Sequence, residues 1–276
     1  MLIFFNSLLR NFIINTYICS VMILYGASGH ARVIRDILEA QGYAVSSVID
    51  DNPSLSSFDG IAVEHSATTL FPTIADNSDS NSFSDCSDCQ PIIISIGNNR
   101  VRKQIAERLS SLCQNILFGL AIHPSAVVSP SAVVEAGTVV MQGAILQASS
   151  VIGKHCIINT GASVDHECHI GNYVHISPHA TLCGNVSVGE GTWIGAGSTI
   201  IQGVKIGSWS VIGAGSVVTH DIPDNCLAVG TPCKAIRIFN NISHTGGVKT
   251  LKKDNHKTYF CDRIFAIDAW QGIRAA

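Results

Sequence analysis

The chain has 276 residues, of which 46% are hydrophobic, 13% are charged and 24 are glycines, and its formal net charge is −3. A weakly acidic chain lacks the basic surface that nucleic-acid binding requires, so DNA and RNA are excluded as partners. Few charges together with many glycines are typical of a β-rich protein with tight turns rather than of a helical one. The length is sufficient for two domains of ordinary size.

The first 21 residues are apolar, but the run is broken at Asn6, Arg10, Asn11 and Asn15. No clean stretch of the roughly 18–20 apolar residues that a membrane span needs is left. A basic segment and a small-residue cleavage site, which mark a signal peptide, are also missing. We therefore interpret 1–21 as an N-terminal extension that either precedes the true translation start at Met22 or is poorly ordered, with an interfacial membrane anchor as the alternative. A cytoplasmic protein is expected.

Residues 22–120 alternate between strand and helix patterns. Strands are predicted in "MILYGAS", "AVSSVIDD" and "PIIISIG". Helices are predicted in "NRVRKQIAERLSSL" and in "GHARVIRDILEAQGY", whose apolar face is formed by Val33, Ile34, Ile37 and Leu38. Strands that alternate with helices form a parallel sheet with helical crossovers. The sequence therefore predicts a small Rossmann-like α/β domain over 22–120.

A polar segment interrupts this domain. Residues 76–90 are rich in Ser and Asp and are predicted to form a surface loop or insertion. They contain Cys86 and Cys89, which make the one CxxC of the chain. A structural zinc site usually takes four ligands from two such pairs, so no metal site is expected here. Reduced cysteines are the expectation for a cytosolic protein.

An aliphatic residue returns every six positions between residues 122 and 218. Neither a helix nor a strand has this period, whereas a short strand followed by a corner does. Three such rungs close one triangular coil, and stacked coils bury a continuous aliphatic column. The seventeen rungs predict an all-β parallel β-helix of between five and six coils within the domain 121–237. The predicted inward residues are Ile122, Val128, Val134, Val140, Leu146, Ile152, Ile158, Val164, Ile170, Ile176, Leu182, Val188, Ile194, Ile200, Ile206, Ile212 and Val218.

The repeat ends after Asp221. The string "IPDNCLAVGTPCKAIR" leaves the six-residue period, and 238–276 has no repeat and is predicted to be a C-terminal tail. The lysines of this tail are interpreted as solvated charges rather than as a binding site.

The unbroken hexapeptide repeat resembles the left-handed β-helix acyltransferases, which are trimers that bind acyl-CoA between neighbouring coils. The strings "YGASGHARVIRDIL", "VIDDNP", "ISIGNNRVRKQIAERL", "HPSAVVSPSA", "SVDHECHIG" and "VGTPCKAIR" are similar to one subgroup. It contains UDP-4-amino-sugar N-acetyltransferases, including the UDP-N-acetylbacillosamine-forming type, and sialic-acid O-acetyltransferases. The resemblance implies a left-handed coil, a homotrimer with active sites between subunits, acetyl-CoA as co-substrate, a UDP-amino sugar as acceptor, and no metal.

His166 is the predicted general base. Acetyl transfer from a thioester needs a base that takes a proton from the nucleophile, and imidazole titrates near neutral pH. His166 follows the inward Val164 by two residues, which places it at a corner where a side chain can leave the coil. Asp165 or Glu167 could hold the imidazole tautomer, and the resemblance favours Glu167. The alternative interpretation is a solvated corner histidine.

The resemblance implies further contacts to acetyl-CoA. His175 matches a family histidine near the thioester, and Ala196 and Ala214, in two copies of "IGAGS", match backbone contacts to the coenzyme. The two alanines are three rungs apart, which places them one above the other on the stack, as a long pantetheine arm would require. Lys234 and Arg237, after "VGTP", could meet the CoA phosphates, with solvated charges as the alternative interpretation.

The turn "GASGH" lies between a predicted strand and a predicted helix. Backbone N–H groups at such a helix N-terminus bind phosphate oxygens, whereas the full GxGxxG of dinucleotide-binding proteins is absent. A plain strand-to-helix turn is the alternative. The resemblance implies contacts to phosphate, uracil and sugar at Ser28, Gly29, His30, Asp50, Asp51 and Gly97.

The leading hypothesis is direct transfer of acetyl from acetyl-CoA to the amino group of a UDP-linked sugar. Cys168 is interpreted as core packing rather than as a nucleophile. Three alternatives stay open: O-acetylation of sialic acid or a related sugar hydroxyl, a zinc hydratase on the same coil, and a non-catalytic scaffold or sugar-nucleotide sensor. Polar corners or satisfied side chains are predicted for His155, His169 and His179.

Overall fold

The computed structural model describes residues 21–67, 90–113 and 115–239. The predicted N-terminal extension (except its last residue), the polar segment with Cys86 and Cys89, and the lysines of the C-terminal tail lie outside these ranges. Among the described helices, none is both long enough and apolar enough to span a membrane.

The N-terminal region is a five-stranded sheet with two helices. The strand order is β3-β4-β2-β1-β5, and all neighbours are parallel except β3 and β4. The three predicted strands and both predicted helices are present, and the β3–β4 hairpin is an addition. The elements are β1 (Val21–Tyr25), α1 (Gly29–Ala40), β2 (Ala44–Ile49), β3 (Ser57–Phe58), β4 (Ile61–Glu64), β5 (Ile92–Ile94) and α2 (Asn99–Leu112).

The loops after β1 and β5 meet at the carboxyl edge of this sheet. Chain order reverses here, because β1 pairs with β2 on one side and with β5 on the other. The Ser95 hydroxyl donates to the carbonyl oxygens of Tyr25 (2.9 Å) and Gly26 (2.7 Å), which ties the two loops together. Open α/β sheets bind their ligands outside the carboxyl ends of the strands at such a switch point. This edge of the sheet is therefore a candidate ligand-binding site.

Residues 121–218 form a three-sided parallel β-helix. Each two-residue strand pairs with the strands three rungs before and after it, as Ile158 does with Val140 and Ile176. Face A consists of β6, β9, β12, β15, β18 and β21, face B of β7, β10, β13, β16, β19 and β22, and face C of β8, β11, β14, β17 and β20. The strands are β6 (Ala121–Ile122), β7 (Val127–Val128), β8 (Val133–Val134), β9 (Val139–Val140), β10 (Ile145–Leu146), β11 (Val151–Ile152), β12 (Ile157–Ile158), β13 (Ser163–Val164), β14 (His169–Ile170), β15 (His175–Ile176), β16 (Thr181–Leu182), β17 (Ser187–Val188), β18 (Trp193–Ile194), β19 (Thr199–Ile200), β20 (Lys205–Ile206), β21 (Val211–Ile212) and β22 (Val217–Val218).

Three corners separate the faces, and we name them by what they carry. The domain corner precedes face A, the alanine corner lies between faces A and B, and the histidine corner lies between faces B and C. The domain corner comprises 154–155, 172–173, 190–191 and 208–209; the alanine corner 160–161, 178–179, 196–197 and 214–215; the histidine corner 148–149, 166–167, 184–185 and 202–203.

The aliphatic column is confirmed as the core of the β-helix. All predicted inward residues from Val140 to Val218 are buried. Ile122, Val128 and Val134 are only half-buried, because the first coil has a neighbouring coil on one side alone. Burying one such side chain contributes about 1.5–3 kcal/mol, so the stack rather than any single coil stabilises the fold.

A second buried column consists of small residues four places after each inward aliphatic. Several of their hydroxyls and thiols donate to a carbonyl of the following coil, as Thr138 Oγ1 does to Gly153 O (2.7 Å) and Ser198 Oγ to Gly213 O (3.0 Å). Cys168 Sγ lies 3.2 Å from Cys183 O in the same arrangement, and burial raises the pKa of its thiol. These features support core packing for Cys168.

The β-helix ends in an antiparallel hairpin. Strand β23 (Cys226–Gly230) extends face A by pairing with β21, and β24 (Cys233–Ile238) folds back on it. The hairpin leaves the six-residue period, as the sequence predicts.

The N-terminal region packs on face A and on the domain corner. Leu24 and Ile93 of its sheet share one apolar cluster with Val139, Met141 and Ile157 of face A. Helix α2 contacts the domain corner through polar groups, which are described with the site below.

Candidate active site

His166 and Glu167 form an exposed pair at the histidine corner. His166 Nδ1 lies 3.2 Å from Glu167 Oε2, and the two side chains are 56% and 65% exposed. The backbone N–H of His166 donates to Asp165 Oδ1 (2.7 Å). Donation from Nδ1–H to the carboxylate leaves the Nε2 lone pair free to accept a proton. The corner position is as predicted, and the catalytic role stays a prediction.

Ala196 and Ala214 lie one above the other at the alanine corner, as their spacing predicts. Gly215 N donates to Ala196 O (2.9 Å), which joins the two coils. Both alanines are exposed, and a side chain added at Gly197 or Gly215 would meet no atom within 4 Å. The alanine corner therefore exposes a strip of backbone and small side chains that a long ligand can contact.

Lys234 lies near the C-terminal end of the alanine corner. It is exposed on β24, and the turn before β24 is tied to the coil of Ala214, because Gly230 N donates to Ser216 Oγ (3.1 Å). The arrangement is compatible with the predicted contact to CoA phosphates, which stays a prediction.

Ser28, Gly29 and His30 form the N-terminus of α1. Ser28 is the N-cap residue, and its side chain makes no capping hydrogen bond. No acidic residue lies in the first turn of the helix, and Ser28 and Gly29 are exposed. Free N–H groups at the positive end of a helix dipole bind anions, so this turn can hold a phosphate.

Asp50 and Asp51 follow β2 at the same edge of the sheet. Asp50 accepts from Ala27 N through Oδ2 (2.8 Å), which anchors the turn before α1. Asp51 is held by the Arg108 guanidinium (2.8 Å) and by the Tyr25 hydroxyl (2.6 Å). Burial and the Asp51 carboxylate raise the pKa of Tyr25. Contact of either aspartate with a nucleobase stays a prediction.

His175 is buried at face A, where its ring stacks on Trp193 with centroids 5.3 Å apart. Asn159 Oδ1 accepts from Thr160 N (2.8 Å), which turns the amide nitrogen of Asn159 toward His175 Nε2 (3.1 Å). Nε2 is then an acceptor, and Nδ1 carries the proton. Nδ1 is buried, and the Gly97 backbone is within hydrogen-bonding reach of the ring.

The structure brings His175, His30 and Gly97 together where the sheet meets the β-helix. Burial lowers the pKa of His175 to about 3. Arg102 and His30 also lower this pKa, whereas a hydrogen bond with the Gly97 backbone raises it. Burial and then Arg102 lower the pKa of His30 to about 4, and His30 Nε2 likewise has no partner. Both imidazoles are therefore neutral near pH 7, and the unpaired Nε2 of His30 lies at the start of α1.

Arg102 is the residue of this region that sequence reasoning missed. It is 1% exposed, and burial lowers its pKa to about 10. The guanidinium joins α2 and the loop after β5 to the domain corner. Its hydrogen bonds go to His155 O (2.8 Å), Ile96 O (2.9 Å), Gly97 O (3.1 Å), Asn99 Oδ1 (2.8 Å) and Tyr173 O (2.9 Å).

The prediction for His155 is wrong. Its ring is 3% exposed between Phe118 and Tyr173, and Nδ1 has no hydrogen-bond partner. The domain corner is covered by the N-terminal region, which the repeat does not reveal. His169 and His179 are exposed, as predicted.

No group of three or more His, Cys, Asp and Glu side chains in the described ranges is arranged to hold a metal ion.

Two family models match the chain. The PglD N-terminal domain matches 21–109, and the bacterial transferase hexapeptide of six repeats matches 149–184 and 185–220. UDP-N-acetylbacillosamine N-acetyltransferase of Bacillus subtilis (strain 168) is 42% identical over 124 residues, or 43% of this chain. The chain spans half the length of that curated relative.

Several solved structures match this chain over nearly their whole length. PerB from Caulobacter crescentus, in complex with CoA and GDP-perosamine, is 38% identical with a TM-score of 0.67, over 78% of this chain and 96% of that one. The acetyltransferase domain of PglB from Neisseria gonorrhoeae, in complex with acetyl coenzyme A, is 36% identical with a TM-score of 0.68, over 79% and 100%. The chain belongs to the left-handed β-helix family of sugar N-acetyltransferases. The left-handed winding follows from this membership.

Acetyl-CoA is the co-substrate of this N-acetyltransferase family, and the alanine corner fits it. The corner exposes stacked backbone and small side chains, and Lys234 offers a cation at its end. The predicted site residues are nevertheless spread over different parts of the chain. The turn before α1, which is predicted to bind the nucleotide sugar, lies with face A, whereas His166 lies at the opposite corner, between faces B and C.

Proposed function

We propose that this chain transfers the acetyl group of acetyl-CoA to the amino group of a UDP-linked amino sugar, with His166 as general base. The observation that carries the proposal is the exposed pair of His166 and Glu167. The pair orients one ring nitrogen and leaves the other free, which is the arrangement that a general base requires. Membership of the sugar N-acetyltransferase family supports the acceptor class.

The proposed mechanism uses His166 to move one proton. Acetyl-CoA supplies an acetyl group that is activated as a thioester. His166 Nε2 accepts the proton of the amino group that becomes acetylated, and Glu167 stabilises the resulting imidazolium through a charge-assisted hydrogen bond at Nδ1. The imidazolium then releases the proton to the departing thiolate or to water, which restores the base. Asp165 holds the backbone of His166 at the corner.

The N-terminal region holds the nucleotide sugar in this proposal. The free N–H groups at the start of α1 receive the diphosphate, which is an anion and needs local donors because the chain has a net charge of −3. The carboxyl edge of the sheet, with Asp50 and Asp51, receives the uracil base of the nucleotide. His30 Nε2, which is buried without a hydrogen-bond partner at the start of α1, can hydrogen-bond to the bound substrate.

The proposed enzyme is a homotrimer with its active sites between subunits. One chain separates the sugar-binding turn on face A from His166 at the opposite corner, and it separates both from the alanine corner. A symmetric assembly can bring these parts together from different copies. The separation therefore supports a shared site.

A thiol-release assay tests the acceptor class. Purified full-length chain is incubated with acetyl-CoA and a UDP-4-amino sugar, a UDP-sugar without an amino group, or free sialic acid. We expect CoA release with the UDP-4-amino sugar and with neither of the other two acceptors, because the relatives of this chain are sugar N-acetyltransferases. CoA release with sialic acid at an equal or higher rate would overturn N-acetylation in favour of O-acetylation.

A GDP-linked amino sugar is the second candidate acceptor. PerB, which matches over 96% of its length, was solved with GDP-perosamine. The same assay therefore includes GDP-perosamine beside the UDP-4-amino sugar. A higher kcat/KM for GDP-perosamine would replace UDP by GDP in the proposal and would leave the acetyl transfer in place.

A further inference from the structure

Gly184 lies directly beside His166 on the next coil of the histidine corner. The two positions are three rungs apart, and Asn185 N donates to His166 O (2.8 Å), which sets the register of the two coils. An added Cβ at Gly184 would lie 2.5 Å from both Cε1 and Nε2 of the His166 ring. Real Cβ atoms do not approach a ring so closely, so the imidazole occupies the space that a side chain at 184 would take.

The backbone gives no reason for a glycine at this position. Gly184 does not have a positive φ, so any residue can adopt its conformation. Sixteen other rungs have an equivalent position, two residues after the inward aliphatic, and all of them carry a side chain. Ala148 and Gln202, one coil before His166 and one coil after Gly184, are examples.

Three other rings also lie over glycines of an adjacent coil, but those glycines have a different explanation. They are Gly137 under His155, Gly161 under His179 and Gly191 under Trp209. Each has a positive φ, at 77°, 64° and 67° respectively, so the corner itself favours glycine there. Of these four ring contacts, Gly184 differs because the neighbouring ring, and not the backbone conformation, explains the absence of a side chain.

We propose that Gly184 is a positioning residue, whose missing side chain leaves room for the imidazole of His166 and keeps Nε2 directed at the incoming amine. The inference rests on the proposed role of His166 as general base. Glu167 holds the ring from the Nδ1 side (3.2 Å), and the open space over Gly184 receives the Nε2 side. Any side chain at 184 pushes the ring outward, where more than half of its surface is already exposed.

Gly184→Ala tests this proposal. The backbone N–H of residue 184 is retained, so the change adds one methyl group and removes no hydrogen bond. We expect kcat to fall by about 100-fold, since a displacement of about 1 Å at a reacting group has that effect, with KM for both substrates within about threefold. The thermal unfolding midpoint should stay near that of the wild type, because the half-exposed ring can rotate into solvent.

Two comparisons separate a positioning role from a structural one. In a His166→Ala background, Gly184→Ala should cause no further loss of the residual activity, because the ring that it displaces is gone. Gln202→Ala, at the same corner one coil on, should keep the kcat of the wild type. A Gly184→Ala variant with wild-type kcat, or one that loses activity equally in both backgrounds, would overturn the inference.

An NMR readout keeps this inference separate from the proposed function. The ring protons of His166 should change chemical shift in Gly184→Ala and not in Gln202→Ala, whether or not the chain turns over a given sugar. If the wild type releases no CoA with any acceptor, the proposed function fails, and the shift still decides the role of Gly184. An unchanged His166 signal in Gly184→Ala would contradict that role.

Discussion

Replacing His166 by alanine is expected to lower kcat by about 10²- to 10⁴-fold, the contribution that a positioned general base makes. KM for acetyl-CoA and for the nucleotide sugar should change little, because the ring at the exposed corner acts on the proton rather than on binding. Steady-state CoA release, measured over a range of both substrates, gives the two parameters. Glu167→Gln should also lower kcat, since an amide cannot stabilise the imidazolium through an ionic hydrogen bond.

His169→Ala is the matched control for this experiment. His169 lies three residues after His166 and is also exposed, but its Nδ1 contacts the Glu167 backbone oxygen rather than a carboxylate (3.0 Å). We expect its kcat to equal that of the wild type. Wild-type kcat in His166→Ala, or an equal loss in His169→Ala, would remove His166 from the mechanism.

Arg102→Met should lower the free energy of unfolding by roughly 3–5 kcal/mol. The methionine fills much of the volume but leaves four backbone carbonyls and the Asn99 side chain without the donor that joins them. Buried acceptors that lose their donor cost more than the hydrogen bonds contribute in net terms. Denaturant unfolding of the full-length chain, followed by circular dichroism, measures the change.

Arg100→Met is the control within the same helix. Arg100 is exposed, and its guanidinium lies 4.5 Å from the ring centroid of Trp209 at the domain corner. An exposed cation–π contact contributes about 0.5–1 kcal/mol. Arg100→Met should therefore lower the free energy of unfolding several times less than Arg102→Met. Equal losses in the two variants would show that the buried guanidinium does not join the two regions.

The hexapeptide period predicted the β-helix residue by residue, because each rung repeats one local event: a short strand with one inward side chain and a corner. The same register, extended by one coil, places Trp193 on His175 and Gly184 beside His166, so both contacts were within reach of the sequence. The β3–β4 hairpin was missed because strands of two and four residues in a segment rich in Ser, Pro and Gly carry no clear alternation.

The contacts between the N-terminal region and the β-helix could not be predicted. Helix α2 has four cations in "NRVRKQIAER", and only Arg102 faces inward, with Asn99, onto carbonyls of the domain corner. Burial of that polar face depends on acceptors in the β-helix, which are distant from α2 in the sequence. The meeting of His30 with His175 has the same origin, since no local pattern relates a strand-to-helix turn to a rung of the β-helix.

Assembly of the active site from two copies is tested most directly by mixed oligomers. His166→Ala removes the base. Gly29→Trp blocks the start of α1 at an exposed position where an added Cβ meets no atom within 4 Å, and circular dichroism checks that each variant is folded. Each variant alone should be inactive. The two variants are given different affinity tags, co-expressed, and purified through both tags so that only mixed oligomers remain. These should recover about one third of wild-type CoA release, because every mixed trimer then has one site that combines an intact base with an intact turn before α1. Mixed oligomers as inactive as either parent would contradict a site shared between subunits.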